Sequence, residues 1–204
     1  GVPQGSILGP LLFIIYINDL VYTCKNGGVI MFADDTSIIY AGRDINELVQ
    51  KSNLELQSVF DWFAANKLSV NITKTKFMVF NAQCEMKNLN HLNALSDVML
   101  NNSALERVSQ FKFLGVIIDE SLLWNHHIQM LSNKLSSTCG ILARLKHELP
   151  SDTLKTIYLT LFMAYVMYGA VCWYSNENSS VKLVIILQEK AIRHVYKAKY
   201  NSHA

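Results

Sequence analysis

The chain has 204 residues and a net charge of +2, and half of its residues are hydrophobic. This length and composition are typical of a globular protein with one large domain or two small ones. The four cysteines are scattered and form no Cys-x-x-Cys pair. That pattern argues against a zinc ribbon or a disulfide scaffold and favours a reducing compartment.

Charge is distributed unevenly along the chain. Residues 1–50 carry two basic and five acidic side chains, whereas residues 134–204 carry nine basic and four acidic ones. A basic last third would suit a polyanion bound near a metal ion, although an ordinary solvated face is the simpler explanation. The chain begins with Gly1 and has no secretory signal. We therefore expect a piece of a longer intracellular protein, of the nucleus or the cytoplasm.

The first predicted element is a helix that follows a glycine-containing loop. Ser6 or Gly9 is placed to cap it, and Pro10 falls in its first turn, where a missing N–H is harmless. Residues 11–20 are apolar on nearly every side. This pattern predicts a helix that is buried on most of its surface.

Two apolar runs, residues 29–33 and 37–41, predict strands joined by Asp34 and Asp35. A tight hairpin turn would favour a glycine, and two adjacent carboxylates repel each other. A divalent cation would remove that repulsion, so the pair indicates a Mg²⁺ or Mn²⁺ site of oxygen ligands. A solvated, Asp-rich turn explains these residues equally well.

Several further elements follow in chain order. Asp44 caps an amphipathic helix that ends near residues 66–67. Residues 68–71 and 76–80 are predicted to pair as strands, and residues 98–108 to form a short hairpin across two asparagines. Residues 111–119 predict one strand, in which Gly115 marks a bulge or a close backbone approach.

Three helices are predicted after a domain boundary near residue 122. They cover residues 124–149, 151–173 and 179–199, and Pro150 separates the first two. Residues 157–174 contain no charge and are a borderline candidate for a membrane span. We favour a buried helix, because no basic cluster marks one side as cytoplasmic.

Four motifs carry a resemblance to a known family. They are residues 1–6 with 8–10, Phe32 to Asp35, Asn71 with Lys74 and Thr75, and Phe113 to Val116. In order and rough spacing they resemble the palm motifs of reverse transcriptases from jockey-like retrotransposons without long terminal repeats. The resemblance implies an α+β fold: a polymerase palm, an antiparallel sheet with packed helices, at 1–121, and an all-α thumb-like region at 122–204.

The resemblance implies RNA-directed DNA synthesis by two-metal catalysis. Its partners would be an RNA template, a DNA primer and deoxynucleoside triphosphates, with no membrane. Asp34 would be a direct ligand of Mg²⁺ (or Mn²⁺) and Asp35 its catalytic neighbour. Phe32 would bind nucleotide or template, near the primer end or the new base pair. Lys74 would be a general acid for the pyrophosphate leaving group. A buried strand aromatic and a surface lysine are the simpler alternatives.

Other positions receive binding roles from the same resemblance. Gln4 and Gly5 would line the nucleotide and template pocket, and glycine would let the backbone approach the substrate. Phe113, Leu114, Gly115 and Val116 would form the primer grip, a hairpin that positions the primer terminus, or else a plain core strand. Backbone phosphates would contact three basic residues of the last third, which are Lys134, Arg144 and Lys146. We expect Asp19, Asp119 and the adjacent pair His126-His127 to be structural.

The family needs a third carboxylate, which comes from a strand before the loop at which this chain begins. We therefore expect the 204 residues alone to be inactive. A degenerate, non-catalytic nucleic-acid-binding remnant of a retrotransposon is the alternative function. An RNA-templated RNA polymerase shares the palm chemistry, but the primer-grip resemblance argues against it.

Overall fold

The computed structural model describes Pro3 and residues 5–80, 97–174 and 180–198. Helices and short strands both occur in these ranges, in agreement with an α+β composition. Two compact units are present: of the described residues, the first contains Pro3, 5–78 and 97–108, and the second contains 79–80, 109–174 and 180–198. The palm and thumb boundary near residue 122 is a different division, and it stays a prediction.

The first unit is built from two helices and short strand pairs. β1 and β2 pair antiparallel, as do β4 and β5, whereas β3 and β6 pair in parallel. In chain order its elements are α1 (Leu8–Ile17), β1 (Gly28–Phe32), β2 (Asp35–Ile39), α2 (Ile45–Ala65), β3 (Lys76–Phe77), β4 (Met99–Leu100), β5 (Ser103–Ala104) and β6 (Glu106–Arg107).

The prediction that α1 is buried on most sides is wrong. Ile17 is buried, but Leu8 and Ile15 are 58% and 64% exposed. Among the described residues, the helix packs mainly on the 3-10 turn that follows it (Asn18–Thr23). Apolar composition shows that a helix can be buried, but it does not supply the surface that covers it.

The amphipathic helix α2 is confirmed. The Asp44 side chain accepts hydrogen bonds from the backbone N–H groups of Asn46 (2.8 Å) and Glu47 (3.2 Å), which is an N-cap. Such a cap contributes about 1 kcal/mol. On its buried face, Val49 packs in a small core with three residues from β4 and the segments beside it, Val98, Leu100 and Leu105.

Two strand predictions in this unit need correction. Residues 68–71 form no strand; instead, Val70 and Ile72 pack on the small core from an irregular segment. β3 pairs with β6, with Lys76 opposite Glu106. The predicted hairpin across Asn101-Asn102 exists, but its second strand is residues 103–104. Both asparagines have positive φ, of 48° and 58°, which the tight turn requires.

The second unit begins with a hairpin and continues as helices. The predicted single strand 111–119 is two antiparallel strands, because the chain reverses at Leu114 and Gly115, which have φ of 45° and 87°. The elements are β7 (Gln110–Phe113), β8 (Val116–Asp119), α3 (Asn125–Leu145), α4 (Ser151–Tyr158), α5 (Ala164–Met167), α6 (Ala170–Trp173) and α7 (Val181–Val195).

The predicted helix 151–173 is interrupted twice. A π-helical turn (Leu159–Met163) separates α4 from α5, and Gly169, with φ of 63°, separates α5 from α6. Phe162 and Trp173 are buried, but Met167 and Val171 are exposed, so the expectation of a buried helix holds for one face only. No helix in the described ranges is long and apolar enough to cross a membrane.

Candidate active site

The carboxylate pair lies at the end of the β1–β2 hairpin. Phe32 pairs with Asp35, which leaves Ala33 and Asp34 as the two turn residues. β2 therefore begins at Asp35, two residues earlier than predicted, and Asp35 belongs to a strand. Ala33 has φ of 52°, which is uncommon for a residue with a side chain. A two-residue hairpin turn requires this conformation, which is why glycine is favoured at such a position.

Phe32 and Asp35 point to the same face of the hairpin, because directly opposed residues of an antiparallel pair share a face. Phe32 is 60% exposed. The alternative of a buried strand aromatic is therefore wrong. Asp34 and Asp35 are exposed as well. Neither forms an ion pair with any described residue. The turn thus presents two carboxylates and an aromatic ring at its surface.

The hairpin is attached to α2 through Glu55, which sequence reasoning missed. The Glu55 carboxylate accepts hydrogen bonds from the backbone N–H groups of Lys25 (2.9 Å), Asn26 (2.8 Å) and Gly27 (3.1 Å), and from the Asn26 side chain (2.7 Å). Burial raises the pKa of Glu55, but these hydrogen bonds outweigh it and hold the pKa below its ordinary value. A signal was available, since Glu55 lies at helical spacing from the buried Ser52 and Val59.

Gly27 is required where the loop enters β1. A Cβ at this position would lie 2.8 Å from Ile38 Cγ2 and 2.8 Å from the ring of Tyr40. The Tyr40 ring is half-buried there, and burial raises the pKa of its hydroxyl. The loop can therefore approach β2 this closely only because residue 27 has no side chain. This requirement determines where the hairpin begins.

The glycine loop before α1 is described in part. The Pro3 carbonyl accepts a hydrogen bond from the Ser6 N–H (3.1 Å), and Gly5 has φ of 88°. The Ser6 hydroxyl accepts from the Leu8 N–H (3.2 Å), as a residue before a helix commonly does. Apart from its chain neighbours, no described residue has an atom within 4 Å of a Cβ placed at Gly5, so its backbone is open to approach. The predicted pocket residue Gln4 lies outside the described residues.

Lys74 lies on a turn that Asn71 organises. The Asn71 side-chain oxygen accepts from the Lys74 N–H (3.1 Å) and the Thr73 hydroxyl (2.7 Å), and the Asn71 carbonyl accepts from Thr75. A side-chain oxygen that accepts from the backbone N–H three residues on is the arrangement of a helix N-cap, a position that asparagine favours. The Lys74 side chain is exposed. The predicted general acid and its surface-lysine alternative both fit this placement.

The predicted primer-grip residues form the turn of the β7–β8 hairpin. At the other end of this hairpin, where β8 ends, Asp119 is buried. It accepts hydrogen bonds from the N–H groups of Ser121 (3.2 Å), Leu123 (3.2 Å) and Trp124 (2.9 Å). Burial raises the pKa of Asp119, but these bonds and that from the Ser121 hydroxyl hold it below its ordinary value. Asp119 therefore joins β8 to the start of α3, in agreement with a structural role.

His127 supports the same strand, as its expected structural role requires. It is buried, and its Nδ1 accepts a hydrogen bond from the Ile117 N–H (3.3 Å), whereas His126 is exposed. Burial lowers the pKa of His127. The ring is therefore neutral near pH 7, with its proton on the other nitrogen.

The three predicted phosphate contacts lie on or beside α3. Lys134 is exposed and lies over the Tyr165 ring, with 4.6 Å between Nζ and the ring centroid. Arg144 is exposed in the last turn of the helix, and Lys146 is its half-buried C-cap. Basic residues at a helix C-terminus also interact favourably with the helix dipole, so both roles suit Arg144 and Lys146.

Comparison with known proteins decides the family. Residues 1–118, more than half of the chain, match the family described as reverse transcriptase (RNA-dependent DNA polymerase). The chain belongs to this family. The match includes the β1–β2 hairpin, the Lys74 turn and the β7–β8 turn.

Curated relatives extend the similarity to most of the chain. It is 26% identical to the probable RNA-directed DNA polymerase from transposon BS of Drosophila melanogaster, over 98% of this chain and 22% of the relative. It is 26% identical to the RNA-directed DNA polymerase from mobile element jockey of Drosophila funebris, over 96% and 22%. A type-1 retrotransposable element R1 polyprotein of Nasonia vitripennis is 26% identical, over 86% and 53%.

These comparisons confirm the jockey-like resemblance. The chain spans about a fifth of the length of the first two relatives. No solved structure matches.

The predicted site residues are therefore distributed over two units. Phe32, Asp34 and Asp35 are neighbours on one hairpin, and Lys74 lies on another turn of the same unit. The β7–β8 turn belongs to the second unit, with the basic residues of α3. In the described ranges, no group of three or more His, Cys, Asp or Glu side chains is placed to hold a metal ion.

Proposed function

We propose that the chain is part of an RNA-directed DNA polymerase that copies an RNA template onto a DNA primer from deoxynucleoside triphosphates. The observation that carries this proposal is the β1–β2 turn, which exposes two carboxylates beside an exposed aromatic ring within the matched family region. An ordinary solvated turn would not need the exposed Phe32 ring, whereas the positive φ of Ala33 is what any two-residue hairpin turn requires. We propose an intracellular location in the nucleus or the cytoplasm.

The chemistry of the donors fits Mg²⁺ or Mn²⁺. Both ions prefer oxygen ligands, and Mg²⁺ is commonly held by one or two carboxylates together with substrate phosphates and water. Asp34 would be the direct ligand and Asp35 its neighbour. When bound, two such ions would lower the pKa of the primer hydroxyl and neutralise charge on the triphosphate.

The remaining residues of this unit would bind and orient the substrate. Gly5 would allow the triphosphate or template to approach the backbone beside Gln4, since its surroundings are open. Phe32 would stack near the primer end, where base–aromatic stacking contributes about 1–3 kcal/mol. Lys74 would give its proton to the pyrophosphate leaving group, because its turn fixes the backbone while the side chain reaches solvent.

The second unit would hold the nucleic acid. The turn of Phe113, Leu114, Gly115 and Val116 would be the primer grip. Lys134, Arg144 and Lys146 would contact backbone phosphates, which position a duplex without reading its sequence. In this proposal residues 1–121 are part of a palm, and residues 122–204 are a thumb-like region.

We further propose that these 204 residues do not polymerise DNA by themselves. Two-metal polymerases need more carboxylate ligands than Asp34 and Asp35, and no third one joins them in the described ranges. Magnesium-dependent incorporation of nucleotides by the isolated chain would show this to be wrong. The alternative of a non-catalytic nucleic-acid-binding remnant shares this property.

Substitution in a protein that carries the chain with the rest of its polymerase domain distinguishes the two functions. Asp34→Asn and Asp35→Asn should each reduce primer extension by orders of magnitude, because each removes charge at the point where the metal would bind. Binding of the primer–template should change little, since it depends on basic residues. Asp61→Asn, on the exposed face of α2, is the matched control. Primer extension that survives both substitutions would contradict the metal assignment, and absent extension in the unsubstituted protein would favour the remnant.

A further inference from the structure

The break between α5 and α6 places one side chain on the β7–β8 turn. Tyr168 leaves the helical conformation, with φ of −68° and ψ of 116°, and Gly169 follows with φ of 63°. The Tyr168 hydroxyl donates a hydrogen bond to the Leu114 carbonyl, at 2.5 Å. Leu114 is the first of the two turn residues of that hairpin.

The contact extends along the whole turn. The Tyr168 ring lies 3.3 Å from the position that a Cβ on Gly115 would take, so the ring lies against the backbone of the turn. A Cβ on Gly169 would lie 3.1 Å from Val116 Cγ2. The two residues of the helix break therefore contact both turn residues, Leu114 and Gly115, and Val116, the first residue of β8.

Buried groups fix the break itself. The Trp173 indole N–H donates to the Tyr168 carbonyl at 3.0 Å, and Trp173 is 1% exposed. His127, which accepts the hydrogen bond from Ile117 of β8, packs on the same indole, with 5.7 Å between the ring centroids. Trp173 thus orders both the break and the histidine that holds Ile117. Tyr168 itself is 55% exposed, so the core does not account for its hydroxyl.

We infer that Tyr168 is a positioning residue for the primer terminus, because it sets the orientation of the β7–β8 turn through the Leu114 carbonyl. The inference rests on the proposed role of this turn as the primer grip. It assigns Tyr168 no contact with the reacting atoms. It adds to that role a hydrogen bond from the helical region that holds the grip in one conformation.

A single-atom substitution tests the inference on the 204-residue chain. Tyr168→Phe keeps the ring against Gly115 and removes only the hydroxyl. Tyr165→Phe is the matched control, because Tyr165 is a similarly exposed tyrosine of the same helical segment whose ring lies beside Lys134. The probe is a DNA primer annealed to RNA, with a photo-crosslinking nucleotide at its 3′ end. The crosslinked peptides are quantified by mass spectrometry.

In Tyr168→Phe, crosslinking to residues 113–116 should fall about fivefold, the change in population expected from the loss of one ordinary hydrogen bond. Total affinity for the duplex, measured by anisotropy, should change less than about twofold, because phosphate contacts dominate affinity. The carbonyl carbon resonance of Leu114 should shift in this variant. Tyr165→Phe should leave crosslinking and resonance unchanged.

The outcomes separate the inference from the function on which it rests. If the unsubstituted chain binds the duplex but its primer terminus does not crosslink to the β7–β8 turn, the primer-grip proposal fails and the inference falls with it. If crosslinking to the turn is strong and equal in the unsubstituted chain and in Tyr168→Phe, the inference alone is overturned. An unmoved Leu114 resonance would also overturn it, because the hydrogen bond would then be absent in solution.

Discussion

Glu55 offers a direct test of how the carboxylate hairpin is held. Glu55→Ala removes the acceptor of four hydrogen bonds from residues 25–27. A hydrogen bond to a charged group contributes about 1.5–3 kcal/mol. Lys25 and Asn26 are exposed, however, so water would replace part of what they lose. We expect Glu55→Ala to lower the free energy of unfolding of the first unit by about 2–4 kcal/mol.

Glu55→Gln separates charge from shape. An amide oxygen could still accept from Lys25 and Asn26, but its NH₂ group would face the Gly27 N–H, and the charge would be lost. We expect Glu55→Gln to lower the free energy of unfolding by about 1–2 kcal/mol, which is less than the loss expected for Glu55→Ala. Glu47→Gln is the matched control, because Glu47 lies on the same helix in an exposed ion pair with Lys51 (2.6 Å). Such a pair contributes about 0.3–0.5 kcal/mol.

The contribution of Glu55 to stability should also depend on pH. Because the pKa of Glu55 is lowered in the folded state, the unfolded chain binds its proton more readily. Its stabilisation is complete above the unfolded pKa of about 4.3 and is lost as pH falls through the folded pKa. Glu55→Gln should remove this part of the acid dependence.

Urea titrations at several pH values, with hydrogen exchange of residues 25–65 as the local readout, measure both effects. Two results would refute the reasoning. One is Glu55→Gln within about 0.5 kcal/mol of Glu47→Gln, the range of ordinary surface substitutions. The other is an acid dependence that Glu55→Gln leaves unchanged.

Two further predictions concern the entry to β1 and the support of β8. Gly27→Ala should destabilise the first unit by about 1–3 kcal/mol, because its Cβ would lie 2.8 Å from Ile38 and Tyr40. Urea titration measures this cost, with Gly28→Ala as the control because the nearest atom to its Cβ lies at 3.8 Å. Equal costs for the two substitutions would contradict the prediction. Burial lowers the pKa of His127, so its protonation favours unfolding, and the stability of the second unit should decline as pH falls below about 6.5. His127→Gln should reduce that slope in tryptophan-monitored urea titrations at pH 7 and 5.5, and an unchanged slope would contradict the assignment.

Local patterns predicted much of the fold, because local physics decides those elements. The Asp44 cap and the apolar spacing of α2 need no distant partner, and the structure has both. The turn at Asn101-Asn102 follows from the tolerance of asparagine for positive φ. These features depend on residues within one or two turns of each other in sequence.

Contacts between distant residues could not be predicted in the same way. The burial of α1 depends on a covering surface, which its own sequence does not contain. Residues 111–119 are β-forming throughout, so their composition does not show that Leu114 and Gly115 reverse the chain. The Glu55 contacts join residues 28–30 positions apart, and the Tyr168 contact joins residues 54 apart.

These long-range contacts explain how the two hairpins of the proposed function hold their shape. The β1–β2 turn has exposed side chains at Phe32, Asp34 and Asp35, so little packing of its own fixes its direction. Glu55 instead fixes the loop at its base, and Tyr168 fixes the turn of β7–β8. In both cases a polar group from a helical segment supplies the support that an exposed turn lacks from packing of its own. If the two turns have the roles proposed for them, substitutions of Glu55 and Tyr168 should impair the positioning of substrate, although neither side chain is proposed to contact it.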